Sequence, residues 1–331
     1  MHVYDIPLRR RFRGIERRQG VIARTAVGWL EWSPFPEYGP AEAATWLDAA
    51  RETVEKGWPP PVRQSVPVNV TIPATDPATA HRLVVEGRCA TAKVKVAEPG
   101  QGLADDLARV EAVRAALGPS GRLRVDANGA WDVDQAERAL TALGRFDLEY
   151  AEQPCATVAE LAELRRRLAR RDILIAADES IRRSGDPERV VAEAAADIAV
   201  LKVQPLGGMW RCLELAERLG LPVVVSSAIE TSVGLAQGVA LAAALPDLPY
   251  ACGLNTGRLL AGDVTDQPLV ATDGCLRPRR VEPDPALLAA TAASPEVERA
   301  WRQRLREATA AGGGRRARYP GAAGDGSGNE E

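Results

Sequence analysis

Thr91-Ala-Lys-Val-Lys-Val96, Leu123-Arg-Val-Asp126, Leu148-Glu-Tyr-Ala-Glu152, Ile173-Leu-Ile-Ala-Ala-Asp178 and Ile198-Ala-Val-Leu-Lys-Val203 are short apolar runs with a charged residue at or next to the carboxyl end. The stretches between them are rich in Ala, Leu, Glu and Arg, with apolar residues at helical spacing, as in Leu103–Leu117 and Ala159–Ala169. Working outward, Val68–Ile72 is a similar run on the amino side; Pro222–Ser226 and, less clearly, Tyr250–Gly253 follow on the carboxyl side. Eight strands, each but the last followed by a helix, predict an α/β fold: a modified (β/α)8 TIM barrel of (β/α)7β type, its middle filled by side chains. An open doubly wound sheet is the alternative, but it would not ordinarily carry polar residues at so many successive strand ends.

The flanks read differently. Strand-like Val3–Leu8 and Val21–Trp32 precede an amphipathic helix near Ala41–Lys56, which predicts an α+β capping domain beginning in residues 1–66. The barrel is assigned to 67–256. Residues 257–311 are expected to return to the cap through a strand-like Pro268–Thr272 and a helix near Glu296–Ala308. The Gly-, Ala- and Arg-rich tail, 312–331, is expected to be disordered.

Composition removes several function classes. With 331 residues, 46% of them hydrophobic, and a formal charge of -3, the chain is globular in profile and has no basic stripe for nucleic acid. The Arg165-Arg166-Arg167 cluster reads as a solvated helix face. No apolar run is long enough to span a membrane, and Met1–Arg13 lacks a secretory core. Five scattered cysteines without a Cys-x-x-Cys pair suit reduced thiols and a cytoplasmic location. The only histidines are His2 and His81, which disfavours a Ser-His-Asp triad or a His-rich metal site. No Gly-rich phosphate loop stands between a strand and a helix.

Lysine usage is more pointed. Of 42 Lys plus Arg only Lys56, Lys93, Lys95 and Lys202 are lysine, and the last three lie in apolar strands. Arg stays charged, whereas Lys can lose its proton. Lys93 and Lys95, two apart on a strand, share a face. Together, and near a divalent cation, they are expected to disfavour each other's protonation, as a general base requires. Lys202 falls four β/α units from Lys95, across the mouth of an eight-stranded ring, where it could act as a second base or as a cation facing a developing anion.

In such barrels the active site occupies the carboxyl ends of the strands. Asp126, Glu152 and Asp178 are spaced by 26 residues twice, and Lys202 and Ser226 each follow after 24 more, one β/α unit at a time. Three converging carboxylates repel unless a cation intervenes, and an all-oxygen donor set suits one Mg²⁺, with Mn²⁺ as a substitute. Singly, each acid reads as a helix cap or a surface ion pair; jointly, the metal reading explains all three.

Lys-x-Lys on the second strand, Asp126-Ala-Asn128, Glu152-Gln-Pro, Asp178-Glu179-Ser and Lys202-x-x-x-x-Gly-Gly resemble the enolase superfamily, in its muconate-lactonizing-enzyme-like branch. That likeness implies a Lys or His base assisted by Mg²⁺. Gly28-Trp-Leu-Glu-Trp-Ser-Pro-Phe-Pro-Glu-Tyr38, Ser226-Ser-Ala-Ile-Glu-Thr-Ser-Val-Gly234 and Gly253-Leu-Asn-Thr256 are most similar to its o-succinylbenzoate synthase family, which serves menaquinone biosynthesis. The resemblance implies a Mg²⁺-dependent dehydration of a cyclohexadiene dicarboxylate through an enediolate. It makes Lys95 the base that also protonates the departing hydroxide and sets Lys202 over the anionic ring. Lys93, Asn128, Glu179, Ser226, Ser227, Ile229, Glu230, Gly253, Asn255 and Thr256 become substrate-binding or supporting groups, although relatives often carry Asp where Asn255 stands. The cap loop around Arg11–Gln19 is expected to close the site. An N-succinylamino acid racemase or dipeptide epimerase of the same superfamily would carry the same motifs; a Schiff-base aldolase using Lys202 would leave the three acids unexplained. Oligomeric state is not legible.

Overall fold

The computed structural model describes residues 1–183 and 187–312; the expected tail, apart from Gly312, lies outside the described residues. Three antiparallel strands open the chain: β1 (His2–Phe12), β2 (Ile15–Thr25) and β3 (Gly28–Trp32). The predicted single strand Val21–Trp32 is therefore two strands. Thr25 makes the turn between them, its hydroxyl donating to the Gly28 carbonyl and accepting from the Val27 amide. The expected loop at Arg11–Gln19 is mostly hairpin, turning only at Arg13 and Gly14, both at positive φ. Helix α1 (Pro40–Lys56) follows.

A short strand, β4 (Val66–Pro67), is followed by the barrel strands β5 (Val70–Ile72), β6 (Thr91–Lys95), β7 (Arg122–Asp126), β8 (Leu148–Glu152), β9 (Ile175–Ala177), β10 (Ile198–Leu201) and β11 (Val223–Val225). From β5 to β11 they form one seven-stranded parallel sheet in sequence order; β4 stands outside it. The eighth position is reduced to single parallel bridges, Ser226 with Gly253 and Val68 with Cys252, which join the two edges of the sheet. The intervening helices are α2 (Pro77–Gly87), α3 (Leu103–Leu117), α4 (Val133–Leu143), α5 (Val158–Leu168), the short α6 (Glu179–Arg182), α7 (Arg189–Ala192) and α8 (Val203–Leu206), α9 (Met209–Leu219) and α10 (Ser232–Ala244). Several start where local chemistry dictates: Asp76 caps α2 with Pro77 following, and Asp132–Gln135 and Thr157–Glu160 form reciprocal capping boxes.

Alternation along the strands positions the site. Tyr150, Ala176, Ile198, Val200 and Val224 form a separate buried cluster, with Tyr250 against it, filling the barrel's interior. Two residues beyond Tyr150, Ala176, Val200 and Val224 come Glu152, Asp178, Lys202 and Ser226, which the pleat directs to the same inward face one layer higher. The larger apolar cluster joins the outer strand faces to the helices and the cap.

Pro268–Thr272 is not a strand. The return pairing comes slightly later, where β12 (Cys275–Leu276) runs antiparallel to β4. Helices α11 (Pro285–Ala290) and α12 (Pro295–Gly312) end the described chain, and α12 packs on α1. Trp301 of α12 meets Trp32 edge-on at 5.5 Å. All five cysteines are free. Among the described residues no helix is long and apolar enough to cross a membrane.

Candidate active site

Parallel register sets the acids side by side: Lys95 pairs with Asp126, and Asp126 with Glu152, across β6, β7 and β8. Asp126, Glu152 and Asp178 are each at most 1% exposed, so their charges need partners. Lysines supply them. Lys93 Nζ lies 2.8 Å from both Glu152 oxygens and 3.1 Å from Asp126 Oδ2. Lys95 Nζ donates to Asp126 Oδ2 at 2.6 Å and also to Asn128 Oδ1. Across the rim, Lys202 Nζ donates to Asp178 Oδ2 at 2.6 Å, and Arg182 Nε to Oδ1 at 3.0 Å. Asp178 precedes α6 yet its carboxylate caps nothing, which removes the helix-cap explanation for it.

Charge balance separates the three acids. Burial opposes ionisation of all of them. At Asp126 the neighbouring Lys95 and Lys93 outweigh burial and hold the carboxyl well below its usual range; Lys202 and Arg182 do the same for Asp178. Glu152 is pushed up to about 7 by burial and by Asp126, with a further push from Asp178. Lys93 departs from expectation. Burial disfavours its charge, but Glu152 and Asp126 raise it well above the ordinary lysine range. Contact carboxylates outweigh the second lysine that was expected to lower it.

Among the described residues no three Asp, Glu, His or Cys side chains cage an ion as they stand, and ammonium groups contact Asp126, Glu152 and Asp178. The donor set nevertheless fits a hard divalent cation. It is all oxygen, deeply buried, and its central member, Glu152, is destabilised by the other two acids.

Lys93, Lys95, Asp126, Asn128 and Lys202 line one cleft with Ser226, Ser227, Ile229, Gly253 and Thr256. Ser227 Oγ and Thr256 Oγ1 are 2.7 Å apart. Gly253 packs tightly on Ser226, and a Cβ there would come 2.5 Å from Ser226 Oγ and displace that hydroxyl. Glu179 supports the rim from outside the cleft, accepting from Arg182 at 2.6 Å and Asn128 at 3.4 Å. Glu230 lies beneath the loop, accepting from the Ala228 amide at 2.7 Å. Asn255 corrects the expectation: it turns away, accepting from the Ala271 amide and donating to Cys89 Sγ, and borders a separate cavity of about 830 Å³.

Two family models match the chain: enolase N-terminal domain-like over residues 3–54 and enolase C-terminal domain-like over residues 76–283. The chain is 61% identical over 308 residues to the o-succinylbenzoate synthase of Thermobifida fusca (strain YX), covering 93% of this chain and 95% of that one. The chain belongs to the o-succinylbenzoate synthase family of the enolase superfamily. An o-succinylbenzoate synthase of Mycobacterium marinum is 52% identical, with 92% of each chain covered. The fold is also that of muconate lactonizing enzyme from Pseudomonas putida, with a TM-score of 0.72 at 23% identity over 88% of this chain and 98% of that one. N-succinyl Arg/Lys racemase from Bacillus cereus shares it with a TM-score of 0.75 at 19% identity, over 88% and 96%.

In this synthase-family chain the cap contributes residues that sequence reasoning did not single out. Phe12, Arg13 and Phe35 line the cleft, and the Phe12 ring lies 5.4 Å from Lys95 Nζ. Phe12 and Arg13 fall inside the expected closing loop, but no periodicity marks them as contacts. Phe12 and Arg13, at the hairpin tip, thus form the cap's side of the cleft, facing Lys95 and Lys202. Arg124 was also missed. It lies fully buried in the interior layer below the acids, 4.6 Å over the Tyr150 ring and 2.5 Å from Glu149.

Proposed function

We propose that this chain, a carbon–oxygen lyase by family, dehydrates 2-succinyl-6-hydroxy-2,4-cyclohexadiene-1-carboxylate to 2-succinylbenzoate with Mg²⁺ at Asp126, Glu152 and Asp178. One observation carries the reading: lysines from opposite sides of the ring reach one cleft beside three buried acids. A bound divalent cation would supply positive charge beside the substrate carboxylate, where negative charge develops as the proton leaves.

Lys95, in its neutral form, removes the proton from the carbon bearing the carboxylate. The C–H electron pair first delocalises into the carboxylate, then becomes a ring double bond as the C–O bond to the hydroxyl breaks. The proton held on Lys95 leaves with that hydroxide as water, so atoms and charge balance and the lysine is regenerated. Lys202 faces the ring from the other side and opposes its growing negative charge. Phe12 and Phe35 exclude water, which strengthens these interactions.

The same reading divides the chain into a cap built from 1–66 and 257–311 around a barrel of 67–256, supported by the β4–β12 pairing and the packing of α12 on α1. A cytoplasmic location is supported by the five free thiols. The test is aromatisation of the cyclohexadiene substrate followed spectroscopically. Turnover is expected with Mg²⁺, to vanish on chelation, and to return on adding the ion back. Full activity in Lys95→Ala, or after complete chelation, would end the proposal.

A further inference from the structure

The cap touches the cleft directly through Phe12, Arg13 and Phe35, but its most deeply buried charges do something else. Arg18 on β2 and Glu31 on β3 are each 1% exposed. Both reach across to the barrel loop that follows β11.

Arg18 Nε donates to the carbonyls of Ala228 and Ile229, each at 3.2 Å. The rest of its guanidinium is fixed within the cap, to the Gln19 carbonyl at 2.9 Å, to Ser33 Oγ at 3.0 Å and to the Ser33 carbonyl. Its face lies 4.6 Å from the ring of Phe35, itself a cleft residue. Glu31 accepts at the start of α10, from the Thr231 amide at 3.1 Å, the Gly234 amide at 3.1 Å and the Thr231 hydroxyl. Tyr4 and Ser33 hold it from behind at 2.7 and 2.8 Å. A carboxylate from the cap thus satisfies amides that a helix start leaves without helical partners. The approach is so close that a Cβ at Gly234 would lie 2.6 Å from Glu230 Cβ and 3.0 Å from Glu31 Cδ.

Between these two anchors the chain bends sharply. Ile229 sits at φ +62°, which β-branched residues rarely adopt, and its carbonyl is one that Arg18 holds. Ser226, Ser227, Ala228 and Ile229 all line the cleft.

We propose that Arg18 and Glu31 are positioning residues for substrate: docking the cap sets the conformation in which the 226–231 loop meets the ligand. The inference rests on the dehydration reading for its assay. It separates the loop, which would grip substrate, from the acids, which lie on other strands.

Steady-state dehydration is measured for wild type, Arg18→Met, Arg18→Lys and Glu31→Gln, together with the Mg²⁺ concentration for half-activation and amide exchange at Thr231 and Gly234. Arg18→Met is expected to raise KM about tenfold or more with a smaller change in kcat. Half-activation by Mg²⁺ should move less than about twofold, and Arg18→Lys should recover part of the lost affinity. Glu31→Gln should speed exchange at Thr231 and Gly234 under conditions where β7 and β8 amides stay protected. Should Arg18→Met fail to fold, Arg18→Lys decides: a KM within about twofold of wild type, with unchanged exchange at Thr231 and Gly234 in Glu31→Gln, overturns the proposal. Loss of Mg²⁺ affinity in step with KM also overturns it, since that would be a general structural effect. Absence of turnover in wild type removes the dehydration reading instead; the exchange measurement still decides the positioning role.

Discussion

The barrel rim and the seam between cap and barrel are both built from buried charge, but they are organised in opposite ways. At the rim each functional side chain ends its own strand, and one β/α unit separates it from the next. At the seam the partners are far apart in the chain: Arg18 bonds a carbonyl 210 residues away, and Glu31 a hydroxyl 200 residues away. The rim carries like charges that repel and are neutralised by amines, whereas the seam answers its charges with backbone amides, hydroxyls and carbonyls. A repeated fold can therefore bring reactive groups together through strand order alone, while setting their distance to a ligand needs a second, non-repeating body.

The largest expected effects lie at the rim. Replacing Lys95 by Ala should cut kcat by about 10³-fold, within the range for losing a positioned base. Lys202→Ala should cost about 10²-fold, as for one lost electrostatic contact. Lys202→Arg should retain more activity than Lys95→Arg, because only the first role needs charge without proton exchange; equal losses would make the two lysines equivalent and blur the asymmetry of the rim. Next, Glu152→Gln should raise the Mg²⁺ concentration for half-activation by about tenfold or more, read by titration of the chelated enzyme. An unchanged requirement would take Glu152 out of the ion's shell.

A smaller effect sharpens the seam. Glu31 is pushed up to about 7, first by burial and then by Glu230, against the donors that surround it. The folded form therefore favours the protonated acid more than the unfolded chain does. The associated stability is present below about pH 4.5 and is lost as pH rises through about 7, by on the order of 1–3 kcal/mol. Subtracting the denaturation profile of Glu31→Gln from that of wild type should isolate this slope, because Glu152 contributes equally to both. A flat difference would mean that the donors, not burial, govern Glu31. The smallest effect is expected at Arg167, whose exposed pairs with Asp134, Glu137 and Glu163 are solvated. Arg167→Ala should leave both Tm and kcat/KM unchanged within error.

The contrast also explains what could be read in advance. Short apolar runs at equal spacing, each with a charged residue at its carboxyl end, revealed β6 to β10 and brought forward Lys95, Asp126, Glu152, Asp178 and Lys202, because a barrel repeats the same local solution. Helix α3 was legible to the residue, Leu103–Leu117, since its run of good helix formers is bounded by glycines at 102 and 118. The strand split at Ala26 and Val27 was hidden, because a Thr hydroxyl rather than a glycine–asparagine pair makes that turn. Arg124 was invisible for another reason. A cation inside an apolar strand contradicts the pattern, and partners distant in sequence make it tolerable there: the facing Tyr150 and Tyr250 rings, the Glu149 carboxylate, the Ala251 carbonyl and Asn69. Lys93 was found, but its protonation was misjudged because spacing along a strand says nothing about how closely acids from the next strands approach.

The abbreviated eighth stave has a mechanical consequence. The ring is shut there by a handful of backbone bonds, from Asn69 to Cys252, from Cys252 to Pro67 and from Gly253 to Val225, instead of a full ladder. A hoop fastened by a short clasp yields at the clasp before it yields elsewhere. Gly253 and Ser226 flank that clasp, while Asp126 and Glu152 end continuous strands away from it. Amides at Cys252 and Gly253 are therefore expected to exchange faster than those of β7 and β8, so the wall beside Gly253 would loosen before the acids do.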